Sequence, residues 1–538
     1  MQCFKLPVSL CKRIQSAVTR FWWDDKEGQH KTAWVSWDKM TKPKAIGGLG
    51  FRDFQAFNDA FLGKLSWRIH NNLELLLSRI LLGKYCHSES FMEVTEKAST
   101  SHGWRGILVG RDLLKDNMGW VVGNGSSIRI WDDPWLSLTT QLRPTGPATK
   151  VSANFTVADL FHENTRRWNT EKIRQVLPQW ERIIKTIKPS EAGAPDKQIW
   201  LNTPSGVYTT KSGYHSAIKK RTEEEDPNDA SVELEWFKGV WNIHASPKIK
   251  MFLWKLFQQA LPVGEVLAMR NITTDSLCKR CGTPESIEHL FLHCPFAEQV
   301  WRYAPFVTTV ESSGLIDLKS VWLNLCGRNC LPPTGLISGH LAPWILWQIW
   351  CSRNQFIFEG RTVSADETLT KAISLAREWT SSQEKQKRST PRKTPPREPT
   401  PRNSTIVNTD AAWRATSLIA GLGWTVKNQE GSPCFKVAAR DVGSALIAEG
   451  LALREALYCC KEKGIKCVLC LSDSAQLVKA INLGESYPEL YGIVSDVLEI
   501  SCCFDELSFS WISRERNKEA DTLAKQCLVE EEAFMDGT

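Results

Sequence analysis

Four carboxylates in the last quarter of the 538-residue chain, Asp410, Glu449, Asp473 and Asp521, stand where acids are otherwise awkward. Asp410 follows the β-type run Thr405-Ile406-Val407-Asn408-Thr409, and Asp473 ends the apolar run Cys467-Val468-Leu469-Cys470-Leu471-Ser472. Glu449 lies inside a helical pattern from about Ser444 to Lys463, and Asp521 opens the helix-like stretch Ala520 to Lys525. A lone acid at such a place is ordinarily a cap or solvated. Acids brought together by strand ends and helix starts repel, and raise each other's pKa unless cations neutralise them. Two Mg²⁺ ions about 3.5–4 Å apart would do so and would clamp the attacking and leaving oxygens of a phosphodiester. Mn²⁺ is the alternative, because hard oxygen ligands suit either ion.

A second set, Cys278-x₂-Cys281-x₇-His289-x₄-Cys294, offers three thiolates and one imidazole. These make a closed tetrahedral set for a structural Zn²⁺, with no open position for chemistry. His293 is a competing ligand one residue before Cys294. Without the metal, these would be scattered buried cysteines in a Cys-rich chain.

The elements that must position the acids are readable. Residues 406–410, 419–427 and 433–441 alternate or run apolar, with turn residues from Asn428 to Gly431, so three antiparallel strands are expected. Leu446, Ile447, Leu451, Leu453, Ala456, Leu457 and Cys460 fall at helical spacing, and the helix stops at Gly464. Strands at 466–472 and 507–512 and short helices from Ala475 and Glu489 complete an α/β domain with a five-stranded mixed sheet flanked by helices.

The order strand–Asp, helix–Glu, strand–Asp, helix–Asp resembles type 1 ribonuclease H, in the form found in plant non-LTR (LINE-type) retrotransposons and host genes derived from them. The pieces that carry the resemblance are Asn408-Thr409-Asp410-Ala411-Ala412, Ala448-Glu449, Ser472-Asp473-Ser474 and Arg514-Glu515-Arg516-Asn517-Lys518-Glu519-Ala520-Asp521. The resemblance implies that Asp410 bridges both metals, with Glu449 and Asp473 completing one site and Asp521 the other, and that water attacks the RNA strand of an RNA–DNA hybrid in line. The 2′-OH is the group that distinguishes RNA from DNA. The family often has a mobile His ten residues before the last Asp; here that position is Trp511. Trp511 either packs at the end of the fifth strand or marks slow product release or lost activity.

The cysteine spacing resembles the zinc-binding domain of plant retroelement reverse transcriptases, framed by Trp236, Trp241, Lys248 to Trp254 and Trp301. Pro43 to Asp53, Asn58 to Lys64, Gly123 to Trp135 and Gly206 to Tyr214 resemble the stretch after the polymerase palm in the same elements. Trp22-Trp23-Asp24-Asp25 has the form of a palm motif, but some twenty preceding residues cannot supply a partner Asp, so both acids are expected on the surface and no polymerase is expected. The expected organisation is multidomain: a mainly α region at 1–235, a zinc domain at 236–303, a helical connection at 304–380, a Pro/basic disordered linker at 381–405, and the ribonuclease H-like domain at 406–538.

Charge is uneven along this plan. Residues 406–538 carry 13 Lys+Arg against 20 Asp+Glu, a net −7, and residues 381–405 carry seven against two, a net +5. Residues 1–380 therefore hold +9 of the total +7. An acidic nuclease repels a polyanion, so the basic upstream region and linker are expected to deliver substrate; ordinary solvating charge is the alternative. The linker, with Pro391, Pro395, Pro396, Pro399 and Pro401, cannot bury enough apolar surface to order itself. Its run Lys385-Gln386-Lys387-Arg388 with Arg392-Lys393 would serve as a nuclear targeting patch or simply as solvated charge. No stretch is apolar enough for a membrane span or a signal peptide, and 17 scattered Cys point to reduced thiols, so an intracellular protein that is not secreted is expected. Of 24 Trp, 21 precede the linker, which supports two differently built halves. Two functions remain: Mg²⁺-dependent cleavage of the RNA in RNA–DNA hybrids, or a catalytically weak, zinc-containing nucleic-acid-binding protein derived from a retrotransposon.

Overall fold

The computed structural model describes residues 3–24, 31–87, 89–146, 152–163, 165–223, 234–336, 341–386, 404–427 and 431–536. The chain forms two compact units, each assembled from separate stretches. One joins Met1–Leu6, Ala56–Glu224 and Arg397–Thr538; the other joins Pro7–Gln55 with Glu225–Pro396.

In the first unit the C-terminal stretch builds a five-stranded sheet. Its strands are β1 (Thr405–Arg414), β2 (Ile419–Lys427), β3 (Cys434–Ala439), β4 (Cys467–Ser472) and β5 (Glu506–Trp511), in the order β3-β2-β1-β4-β5. The first three pair antiparallel and β4 and β5 join in parallel, so the sheet is mixed as the alternation predicts. The expected turn residues 428–430 lie outside the described residues. Helix α1 (Ala445–Glu462) starts on Ser444, whose hydroxyl accepts from Ile447 N at 3.1 Å. Its apolar face buries Leu451, Leu453, Ala456 and Leu457 against Val407, Leu422 and Val426 of the sheet. Helices α2 (Ala475–Asn482) and α3 (Tyr491–Ser501) follow β4, and α4 (Lys518–Asp536) closes the chain.

Helix α4 lies directly on β2 because β2 lacks two side chains there. A Cβ on Gly421 would sit 2.1 Å from Ala524 O, and one on Gly423 would sit 2.6 Å from Ala524 N. Real Cβ atoms never approach so closely, so any other residue would force the helix outward.

The stretch 56–224 of the same unit is mainly helical, with one antiparallel strand pair, Met118–Val121 with Lys197–Trp200. Within the unit it is fastened to the C-terminal stretch around Asp496 of α3, which is fully buried. Its carboxylate accepts from Ser190 Oγ at 2.6 Å, from the amides of Glu191 and Ala192 at 3.1 and 2.9 Å, and from Arg454 Nη1 of α1 at 3.1 Å. Tyr491 Oη donates to Pro195 O at 2.8 Å. A buried charge pair persists when its remaining hydrogen-bonding capacity is met; Ser190 to Ala192 meet that of Asp496, while Arg454 Nε is buried without a partner.

The second unit has one core drawn from residues 23–40, the zinc segment and the helices Leu318–Gly327, Ala342–Glu359 and Ala365–Gln386. The residues expected as a helical connection thus share the zinc segment's core. The last helix also runs to Gln386, six residues into the expected linker, because Trp379 still packs on that core. The proline-rich remainder, 387–403, lies outside the described residues. Pro43 to Asp53 belong here as well: Gly47 O accepts from Trp254 Nε1 and Gln258 Nε2, both at 2.8 Å. Asp24 caps the helix Val8–Trp23 and accepts from Lys31 N at 2.8 Å; Asp25 is outside the described residues. Among the described residues, no helix is long and apolar enough to cross a membrane.

Candidate metal centres

The sheet register brings the first acids together. Parallel pairing sets Thr409 opposite Ser472, so the residues that follow, Asp410 and Asp473, emerge side by side. Helix α1 crosses the same edge and adds Glu449. One carboxylate oxygen from each of Asp410, Glu449 and Asp473 lies within 4.8 Å of the others. Asp521, in the first turn of α4, is outside that group. It accepts from Lys525 Nζ at 2.6 Å and from Arg514 Nη2 at 3.4 Å.

Asp410 and Glu449 carry the strain expected of like charges in a buried site. Burial, and then the charges of Asp473 and Asp521, push the Asp410 carboxyl up to about 7. Glu449 is raised well above the ordinary range by burial and by Asp410 and Asp473. Its Oε2 is buried with no hydrogen-bond partner, and an orphaned buried acceptor beside two further carboxylates is what a divalent cation would satisfy. At Asp521 burial also raises the carboxyl, but Lys525 and Arg514 outweigh it and leave it low.

One residue here was not singled out from sequence. Asn517, buried at the start of α4, donates from Nδ2 to Asp410 Oδ2 at 3.1 Å and to Thr409 O at 2.8 Å. It fixes which way Asp410 faces and ties α4 to β1. Trp511 resolves as half-exposed at the end of β5, with Nε1 donating to Asp473 O at 2.9 Å, so it anchors the backbone of a site acid.

The cysteine set also converges. Cys278, Cys281, His289 and Cys294 place one ligand atom each within 4.8 Å of one another. Cys278 N donates to Thr283 O and Gly282 N to Cys278 O, which closes the Cys-x₂-Cys arm as a tight knuckle. Gly282 holds φ +79°, a left-handed conformation suited to glycine. His289 opens a single wide helical turn, His289–His293, that brings Cys294 round. His293 is turned away, its Nε2 2.6 Å from Leu315 O, so the four-ligand set is the one with His289. The hydrogen bond from Cys294 pulls the Cys278 thiol down to about 4 and pushes Cys294 up. Two sulfurs sharing one proton are poised for a cation, because metal ligation removes thiol protons. Between the ligands in sequence, Glu285 forms a buried two-point ion pair with Arg353, at 3.0 and 2.6 Å, and accepts from Gly264 N at 2.8 Å.

Comparison with known proteins finds matches over the stretches that contain the two centres. Residues 208–301 match the family described as zinc-binding in reverse transcriptase, and residues 408–527 match the family described as reverse transcriptase-like. The chain is 42% identical over 145 residues to an uncharacterized mitochondrial protein of Arabidopsis thaliana, covering 27% of this chain and 94% of that one. It is 28% identical over 313 residues to an Arabidopsis thaliana protein named "Putative ribonuclease H protein", covering 56% of this chain. The matched part spans 48% of that relative, about half its length. Among solved structures, ribonuclease H1 of Halobacterium salinarum matches at 23% identity, covering 24% of this chain and 99% of that one with a TM-score of 0.22. LC11 ribonuclease H1, solved in complex with RNA/DNA hybrid, matches at 22% identity over 24% and 99% of the two chains, with a TM-score of 0.21.

Proposed function

The chain belongs to the plant retrotransposon reverse-transcriptase family, with its zinc-binding region followed by its ribonuclease H-like region, and from that premise we propose that it binds nucleic acid and cuts the RNA strand of RNA–DNA hybrids. The observation that carries this reading is the triad of Asp410, Glu449 and Asp473 with an orphaned Glu449 Oε2. The donors are all hard oxygens, which fits Mg²⁺ or Mn²⁺. Asp410, Glu449 and Asp473 would hold one ion, and Asp410 with Asp521 a second. Bound there, the ions would neutralise the carboxylates and supply the positive charge that phosphodiester cleavage requires. Asn517 Nδ2 holds Asp410 Oδ2 while Asp410 Oδ1 accepts from Ala411 N at 2.8 Å, and Trp511 fixes the turn that presents Asp473. The Cys278, Cys281, His289 and Cys294 set would hold a structural Zn²⁺.

A second reading, a nucleic-acid-binding protein with little or no activity, is favoured by one observation. Asp521 is tied to both Lys525 and Arg514, and a second ion would have to displace them. Cleavage of a labelled RNA–DNA hybrid in Mg²⁺ by the wild type beside Asp473→Asn tests the choice. Cutting by wild type alone supports the nuclease. Cutting by neither, with hybrid still bound, supports the second reading, and equal cutting by both overturns the site assignment.

A further inference from the structure

The acidic nuclease stretch shares its unit with a segment of opposite charge. Residues 56–224 hold 23 Lys+Arg against 17 Asp+Glu, a net +6, beside −7 for 406–538. That positive charge is partly gathered in one open cavity of about 660 Å³. One wall is a face of the helix Thr210–Glu223, carrying Lys211, His215, Lys219 and Lys220. Asp116 also lines the cavity, and Lys220 engages it at 2.7 Å.

The floor is a braced polar surface. Asn202 Nδ2 donates to Asn117 Oδ1 at 2.7 Å and to Ser216 Oγ at 2.8 Å, and Trp200 Nε1 donates to Ser212 Oγ at 2.9 Å. Lysine ammoniums over a floor of side-chain amides and hydroxyls are the groups that hold sugar–phosphate oxygens. The cavity also runs on toward the nuclease. Asn202 and Thr203 line a second hollow of about 520 Å³ whose far side is Tyr487, Pro488 and Glu489, just before α3.

We propose that the cavity walled by Lys211, His215 and Lys219 is a second nucleic-acid site, gripping the sugar–phosphate backbone of the strand that the acidic centre addresses. The proposal rests on the nuclease reading for the identity of that strand, but the grip itself is independent of cleavage. An acidic protein partner is disfavoured, because the adjoining nuclease surface would repel it as strongly as it repels a polyanion and offers it no cation-held anchor.

The test is binding of a fluorescent RNA–DNA hybrid to the full chain, followed by anisotropy across a salt series in Mg²⁺, in an Asp473→Asn background so that the ligand stays intact. Adding Lys211→Gln and Lys219→Gln should lower the slope of log K against log salt by about 2, at about 0.9 per phosphate contact. At 0.15 M salt that corresponds to a loss on the order of thirtyfold, taking 1 M as reference. Lys211→Arg with Lys219→Arg should restore both slope and affinity, and separates charge loss from misfolding. An unchanged slope and affinity overturns the site. Displacement of hybrid by millimolar inorganic phosphate would make it a simple anion pocket, and equal competition by polyglutamate of matched charge would make it a protein-binding surface; either result overturns the proposal. Tight, lysine-dependent binding by a chain whose wild type fails to cut would leave the site standing and count against the nuclease reading alone.

Discussion

Removing one charge from the carboxylate triad should stabilise the metal-free protein, and the size of the effect should depend on pH. Asp410 is raised from 3.8 to about 7 by burial and by its acidic neighbours. Between those values the folded state keeps a proton that the unfolded chain has released. Stability attributable to Asp410 is therefore complete below about pH 4 and is lost as pH rises through about 7. Three units at about 1.4 kcal/mol each set a ceiling of about 4 kcal/mol. In Asp410→Asn this loss is abolished, while an amide oxygen remains to accept from Asn517. Urea unfolding in EDTA should thus find the variant and wild type equally stable near pH 4, and the variant ahead by up to about 4 kcal/mol at pH 8. Added Mg²⁺ should reverse the ranking at pH 8, because it stabilises only the form with the intact ligand set. A stability difference that does not change with pH, or a wild type that is the more stable at pH 8 without metal, would refute the electrostatic reasoning.

The purified chain should contain one zinc, and Cys281→Ser or a strong chelator should remove it and destabilise the unit whose core the zinc segment shares, since such binding supplies about 10–16 kcal/mol of folding energy; metal analysis and calorimetry read both. Arg353→Met strands the buried Glu285 carboxylate and should cost about 3–5 kcal/mol, whereas Glu285→Leu with Arg353→Met should cost clearly less, as a double-mutant cycle in urea would show. Arg454→Met leaves Asp496 buried without its cation and should cost a similar 3–5 kcal/mol, with faster proteolysis near Ser190; a change below about 1 kcal/mol would mean that water replaces the arginine.

The triad was legible because Asp410 and Asp473 each follow a β-type run, and the parallel pairing of those runs ends at Thr409 and Ser472; β1 itself continues past the expected end at Asp410 to Arg414, so Asp410 sits within the strand and Asp473 just beyond β4. The knuckle was legible for a similar local reason: Cys-x₂-Cys before glycine is a turn in itself. Asn517 was not, because an Asn just before a helix reads as an ordinary cap; only the arrival of α4 beside β1 buries it against Asp410. Arg454 and Asp496 read as solvent-facing charges on two amphipathic helices. The partner of Asp496, Ser190, is 306 residues away, and no local pattern encodes that distance. The grouping of Pro43 to Asp53 with the zinc segment was hidden likewise, since it depends on Trp254 and Gln258 reaching Gly47 across more than two hundred residues.

Gly421 and Gly423 have a bearing on how copies of such a sequence decay. Gly423 pairs with Asp410 across the sheet, and the helix bearing Asp521 rests on the space where its side chain would be. A change to alanine at either position would leave every acid in place and still lift that helix away from β1, taking Asp521 and Asn517 with it. A lineage could thus lose its centre while keeping a complete set of carboxylates. The more telling record of whether selection still maintains a copy is two positions that carry no functional group.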